Sequence, residues 1–256
     1  MKNTLVIKLG GALLNSDVSM IRFFSVLHSY YHRFRGNILI VHGGNFWINT
    51  EIKKMNDLMY KDSSLHYIQN NNYVNFKINM LSGTINNYIV KWAKEYQINS
   101  IGLCLTYENN IIFKKNKSNI FPSLHSLKLI KYLFSRNIIP IISPAGITKN
   151  NLFVDIPSDI VAMSLSIILK ARLIFLTDVS SILNGKGKCI KKITHFETNK
   201  LIHEGIITNG MIEKLNAAIR VSYYLKQSVN ISGWHSLNQL KLLLQGDTIG
   251  THVSFV

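Results

Sequence analysis

Two stretches of the chain share one plan: a run of apolar, mostly branched residues, a polar residue near its end, then two adjacent glycines. They are "VIKLGGALL" (Val6 to Leu14) and "ILIVHGGN" (Ile38 to Asn45). Short β-branched runs favour extended strands, and paired glycine directly after such a run marks a tight turn into the next element. Two strand-to-helix units in succession demand a mainly parallel sheet, because parallel neighbours are joined by crossovers. The same alternation of short branched runs with longer amphipathic ones continues along the chain. Strands are predicted at Leu5 to Leu9, Asn37 to Val41, Ser100 to Leu105, Ile138 to Ile142, Arg172 to Thr177 and Val229 to Ser232. Helices are predicted at Val18 to Phe34, Phe46 to Met55, Val74 to Tyr96, Ser123 to Ser135, Ser158 to Leu169 and Met211 to Leu225. No solenoid-period repeat and no Pro/Ser-rich linker interrupts the pattern. Turn formers cluster in "SPAGITKNN" (Ser143 to Asn151), the predicted boundary between an N-terminal lobe, 1–150, and a C-terminal lobe, 151–256.

The chain of 256 residues, 47% of them hydrophobic, is long enough for one large α/β domain or two lobes. No apolar run reaches the ~18 residues of a membrane span, and Lys8 interrupts the only N-terminal segment resembling a signal peptide, so a soluble, cytoplasmic protein with no membrane partner is expected. Cys104 and Cys189 lie far apart without C-x-x-C spacing, which gives neither a disulfide framework nor a zinc site; both are expected to be buried or incidental thiols. A net charge of +16 raises nucleic acid as a partner. Yet 23 Lys stand against 6 Arg, beside 36 Ile and 27 Asn, which is the mark of A- and T-rich codons rather than of a binding face. The basic residues are scattered and no nucleic-acid motif is present, so no nucleic-acid partner is expected. His28 and His32 are four apart on a helix with no carboxylate at ligand spacing, and no metal site is assigned to them. The Tyr- and Phe-rich segment Asp17 to Phe34 reads as core packing. An exposed apolar side on Val74 to Tyr96 would serve as a dimer face.

Glycines at the carboxyl ends of parallel strands sit where open α/β sheets bind ligands, and they allow backbone N–H groups to approach an anion. Gly10, Gly11, Gly43 and Gly44 could therefore form two adjacent cradles for phosphate oxygens, each reinforced by the positive end of the following helix. A tight strand-to-helix turn is the plainer explanation of either pair alone. Lys8 is harder to explain plainly, since an unpaired ammonium inside an apolar strand is costly to bury. Neither a Walker A motif nor G-x-G-x-x-G is present, so the familiar nucleotide folds are not indicated.

With "IIPIISPAGIT", "DIVAMSLS", "LTDVSSILNGKG" (Leu176 to Gly187), "GIITNGMIEKLNAA" (Gly205 to Ala218) and the terminal "GTHV", these stretches resemble the amino acid kinase family over essentially the whole chain, and within it the members that phosphorylate N-acetyl-L-glutamate. The resemblance implies a three-layer α/β/α sandwich around a mainly parallel sheet. It further implies an acceptor-binding and dimerising N-terminal lobe, an ATP-binding C-terminal lobe, a homodimer, and ATP with Mg²⁺ as phosphoryl donor. By motif match, Lys8 and Lys214 are the lysines stabilising the transferred phosphoryl group from its two sides, and Asp159 is the aspartate that holds both. Gly10, Gly11 and Gly44 offer N–H donors. The nucleotide is implied to lie against Asp178, Val179, Ser180, Ser181, Ile182 and Leu183, and against the turn that begins Ile206, Ile207, Thr208.

Three positions depart from the family pattern. His66 aligns with the arginine that clamps the acceptor's α-carboxylate, Asn45 replaces a third glycine, and Pro157 falls on an asparagine, with Ser158 and Asp155 beside it should the alignment shift. Histidine is mostly neutral at pH 7.5 and lacks arginine's fork, and proline has no amide to donate. Weakened acceptor binding is expected, with KM raised by roughly 10- to 100-fold. The alternative is a member whose acetylglutamate activity is weak or lost, or one that acts on a different acid.

Overall fold

The computed structural model describes residues 4–34, 36–59, 70–106, 124–147, 151, 153–207 and 209–255. In chain order its N-terminal part contains β1 (Thr4–Leu9), α1 (Gly11–Leu14), α2 (Asp17–Phe34), β2 (Asn37–His42), α3 (Asn45–Met59), α4 (Asn70–Asn79), a π-helical turn (Met80–Ile85), α5 (Asn86–Glu95), β3 (Ser100–Thr106), α6 (Leu124–Ser135) and β4 (Ile139–Ile147). There follow β5 (Phe153–Asp155), α7 (Ser158–Leu169), β6 (Arg172–Thr177), β7 (Ile182–Leu183), β8 (Cys189–Ile190), β9 (Lys192–Thr194), α8 (His195–His203), α9 (Asn209–Leu225), β10 (Val229–Gly233), α10 (Leu237–Gln245) and β11 (Thr251–Ser254).

Among the described residues the main sheet runs β3-β4-β2-β1-β6-β10-β11-β9, with β5 off β4. Every pair from β3 to β10 is parallel, while β5 and β11 pair antiparallel with β4 and β10. Period-two alternation sends successive side chains of the central strands to opposite faces. Leu5, Ile7, Leu9, Ile38, Ile40, Ile174 and Leu176 pack beneath α2, α5 and α10, with Phe23, Phe24, Leu27, Ile89 and Leu240. Val6, Leu39, Val41, Leu173, Phe175, Val229 and Ile231 pack beneath α6, α7 and α9, with Ile130, Val161, Leu165, Leu215 and Ala218. Both faces are thus covered by helices, which is why these strands are apolar almost throughout. The three-layer α/β/α sandwich around a mainly parallel sheet stands as expected, and α2 does supply core.

Each predicted strand and helix forms near its predicted bounds, with three differences. Val74 to Tyr96 is not one α-helix: the π-helical turn separates α4 from α5. The turn expected from Ser143 is instead the second half of β4 as far as Ile147. A shift in register with β3 between Cys104 and Leu105 leaves Pro144 without a partner in that ladder, and its missing N–H costs nothing there. Residues 148–150 lie outside the described ones. Of the two readings of the cysteines, buried or incidental, neither is buried: Cys104 sits on β3, at the edge of the sheet, and Cys189 in a two-residue strand of a small hairpin. No helix among the described residues is long and apolar enough to cross a membrane.

Candidate active site

β1 ends at the middle of the sheet, flanked in parallel by β2 and β6, so its carboxyl end opens at the point where three strands stop together. Lys8 is its penultimate residue, and alternation turns the side chain to the face covered by α7 and α9. The first turn of α7 brings Asp159 to it, and α9 brings Lys214. Lys8 Nζ lies 2.8 Å from Asp159 Oδ1, and Lys214 Nζ 3.6 Å from Asp159 Oδ2. Lys8, Asp159 and Lys214 are only 6%, 8% and 7% exposed. Burial by itself would raise the Asp159 carboxyl, but the ammonium groups of Lys8 and Lys214 outweigh it and hold the group below its ordinary value. Burial and then the charge of Lys8 push the Lys214 ammonium down, partly offset by Asp159 and Asp178. Lys214 Nζ also stands 5.5 Å from the centre of the Phe175 ring. Asp159 thus sits between two ammonium groups whose heads face the cavity, with Asp178 and Glu213 also on its wall, so two cations are held where an anion can reach them.

The two glycine turns lie beside this triad, and the structure divides their four amides. Gly10 N–H donates to Leu176 O at 2.9 Å and Gly43 N–H to Leu9 O at 3.1 Å, so both amides are engaged inside the protein. That leaves the amides of Gly11, which begins α1, and Gly44, which precedes α3, and amides at helix starts have no partner within the helix. Gly10 still needs to be glycine, because a Cβ there would meet Leu176 O at 2.9 Å. Behind Gly44, His42 is wholly buried and burial lowers its pKa to about 4, so the ring is neutral. Its Nδ1 faces Gly43 O at 3.0 Å, while Asn86 Nδ2 faces His42 Nε2 at 3.1 Å and donates to Ile141 O at 3.0 Å. These partners assign the proton to Nδ1, with Nε2 accepting. In a planar trans peptide C=O and N–H point opposite ways, so tying Gly43 O to His42 turns the Gly44 N–H away from His42.

Two cavities of about 330 Å³ each meet at Lys8. One is walled by Lys8, Asp159, Lys214, Thr177 and Asp178, the other by Lys8, Gly11, Gly43, Gly44, Lys77 and Asp155, and Asn45, Pro157 and Ser158 line both. The structure thus gathers Lys8, Asp159, Lys214, Gly11, Gly43, Gly44, Asn45, Pro157 and Asp178 in one place. His66 and Thr208 lie outside the described residues. Of the other residues expected against a nucleotide, Val179 and Ser180 are exposed, Ser181 is buried, and Gly233 packs directly on the Ser180 backbone. The Ile182 and Ile207 side chains belong to the core under α7 and α9. Ile182 N–H donates to Thr251 Oγ1 at 2.9 Å, and the amides of Ile206 and Ile207 donate to Leu201 O at 3.0 and 3.3 Å. Leu183 pairs with Cys189 in the β7–β8 hairpin.

Sequence reasoning missed Thr177, Lys77 and Glu213 on the cavity walls, and placed Ser158 and Asp155 only as neighbours of Pro157. Thr177 closes the same kind of apolar strand that drew attention to Lys8. Lys77, one of 23 lysines, carries no local signal.

The model of the amino acid kinase family matches residues 3–229. The chain is 40% identical over 257 residues to acetylglutamate kinase of Buchnera aphidicola subsp. Schizaphis graminum, covering 99% of each chain. It is 36% identical over 259 residues to acetylglutamate kinase of Sodalis glossinidius, covering 98% of this chain and 99% of that one. Among solved structures, carbamate kinase from Giardia lamblia bound to AMP-PNP superposes with a TM-score of 0.68 at 18% identity, covering 100% of this chain and 99% of that one.

Proposed function

The chain belongs to the amino acid kinase family, and from that premise we propose that it transfers the γ-phosphoryl group of ATP to the γ-carboxylate of N-acetyl-L-glutamate. The products are N-acetyl-L-glutamyl 5-phosphate and ADP, in arginine synthesis. The observation that carries this reading is Asp159 held between two buried ammonium groups where two cavities meet. Relatives named acetylglutamate kinase over nearly the full chain support the choice of acceptor.

The chemistry needs no general base. A carboxylate with a pKa near ~4.3 is already ionised at pH 7, so its oxygen attacks the γ-phosphorus directly. The bond from that phosphorus to the β,γ-bridging oxygen breaks, and its electron pair leaves with ADP. The protein's task is to bring two anions together and to stabilise the charge on the oxygens of the moving phosphoryl group. Lys8 does so from the acceptor side and Lys214 from the leaving-group side. Asp159 fixes the separation of the two ammonium groups, and the amides of Gly11 and Gly44 complete the donor set. The nucleotide lies along Asp178 to Leu183 and the turn from Ile206 to Gly210. Mg²⁺ held by the nucleotide's phosphates would neutralise part of their charge.

The same reading assigns acceptor binding and dimerisation to residues 1–150 and ATP binding to residues 151–256, in a cytoplasmic homodimer. For the homodimer, light scattering should give the mass of two chains. The central test is a coupled ADP-release assay with and without N-acetyl-L-glutamate. Release that depends on the acceptor is expected, and release indifferent to it would overturn the reading.

A further inference from the structure

The cavity walled by Gly11 and Gly44 must hold more than the reacting carboxylate. N-acetyl-L-glutamate carries a second carboxylate on its α-carbon, and an anion drawn out of water needs a cation or several hydrogen bonds. Among the described residues, the charged side chains on this cavity are Lys8, Lys77, Asp155 and Glu213. Lys8 is engaged with Asp159 at the phosphoryl-transfer end.

We propose that Lys77, held in place by Asp155, receives the acceptor's α-carboxylate and so determines preference for an acceptor with two carboxylates. This rests on the reaction proposed above and deepens it. Lys77 Nζ contacts Asp155 Oδ2 at 2.5 Å, and the two side chains are 19% and 29% exposed, so the pair lies at the cavity wall rather than on a solvated face. An ammonium has three donors and Asp155 takes one. Lys77 comes from the last turn of α4, directly before the π-helical turn whose Leu81 and Ile85 pack where a Gly44 Cβ would be. One stretch of helix thus seats the Gly44 amide at one end of the cavity and brings an ammonium to its wall. Asp155, from β5 on the other side, holds the flexible lysine stem, so that less side-chain freedom is lost when the acceptor binds. The plain alternative is that the pair merely ties α4 to β5.

The two readings separate in steady-state kinetics with two acceptors. The first is N-acetyl-L-glutamate. The second is 4-acetamidobutanoate, which keeps the reacting carboxylate and the acetamide but lacks the α-carboxylate. Lys77→Met should raise KM for acetylglutamate by about 10- to 100-fold, with kcat within about two-fold and KM for ATP unmoved. The wild type's preference for acetylglutamate over 4-acetamidobutanoate should shrink by the same factor. Lys77→Arg keeps the charge and should stay within about three-fold of wild type. Asp155→Asn weakens the hold on the Lys77 ammonium and should raise KM for acetylglutamate by less than Lys77→Met does, with KM for 4-acetamidobutanoate unmoved. An unchanged KM in Lys77→Met, or an equal loss with both acceptors, would overturn the proposal. Should Lys77→Met not fold, Lys77→Arg and Asp155→Asn still decide: a loss in Asp155→Asn that is equal with both acceptors would leave only a structural tie. A wild type without acetylglutamate-dependent ADP release would instead refute the reaction itself, and that is seen before any variant is compared.

Discussion

The turns after β1 and β2 have nearly the same sequence and opposite uses. Each closes a buried parallel strand with a polar residue and two glycines, yet Lys8 stands two residues before its glycine pair and His42 only one. Because side chains alternate along a strand and Leu9, not Lys8, is in register with His42, the two polar groups leave the sheet on opposite faces. Lys8 meets Asp159 and the cavities; His42 enters the layer of α5, meets Asn86 and is neutral. A one-residue offset separates a group that handles charge from one that aims a backbone amide.

The largest test of this contrast is to remove the charge. Lys8→Met should lower kcat by about 10²-fold or more, as loss of a transition-state donor does, while cooperative unfolding persists. Asp159→Asn should act similarly by misplacing both lysines. The ADP-release assay reads both, and an unaltered kcat in either variant would remove that residue from the mechanism.

The β2 turn should also respond in stability, because its polar group is a buried neutral histidine. Folded His42 titrates near 4, against 6.5 for an unperturbed histidine, so between these values the unfolded chain binds more protons than the folded one. Stability is therefore complete above pH 6.5 and falls as pH drops toward 4, by about 3 kcal/mol. Urea titrations across that range should show the loss in the wild type and in Lys8→Met, and a much smaller one in His42→Gln, where the lowered His252 and Glu197 still contribute. The depressed Asp159 carboxyl adds its own loss only at lower pH, beneath the ordinary carboxylate range.

The smallest effect compares the glycines. A Cβ on Gly44 would lie 2.5 Å from Ile85 Cδ1 and 2.7 Å from Leu81 Cδ2, both fully packed, so Gly44→Ala should cost about 1–2 kcal/mol. A Cβ on Gly11 would have no neighbour nearer than Phe46 Cβ at 3.8 Å, and Gly11→Ala should stay within about 0.5 kcal/mol. Equal shifts in thermal midpoint would show that the π-helical turn does not seat the β2 turn.

Much of the sheet could be read in advance because both of its faces are buried, and apolar runs of strand length between amphipathic helices have few other solutions. Some missed elements are too short for a period: β5, β7, β8 and β9 have two or three residues each, and α1 and β11 four; α10, with nine, was missed although Leu240, Leu243 and Leu244 share its buried face. α8 did carry a signal, since Thr194 and Glu197 form a capping box that reads T-x-x-E. Lys8 stood out locally because a lone ammonium in an apolar strand is anomalous. Asp159 and Lys214 were found through resemblance, as nothing around either residue distinguishes it from an ordinary helix residue.

Local periodicity and the cost of burying one charge are enough to give the layers, the order of strand and helix, and the need for a charged partner to Lys8. Which residues answer follows from how distant segments pack. That packing sets Asp159 between two lysines from distant segments, takes the Gly10 and Gly43 amides into the protein's own backbone, turns Gly43 O toward His42, and brings Lys77 to Asp155. The reason is that a hydrogen bond or ion pair depends on ångströms and direction between chain segments, and the packing of helices onto the sheet, not the local pattern, sets both.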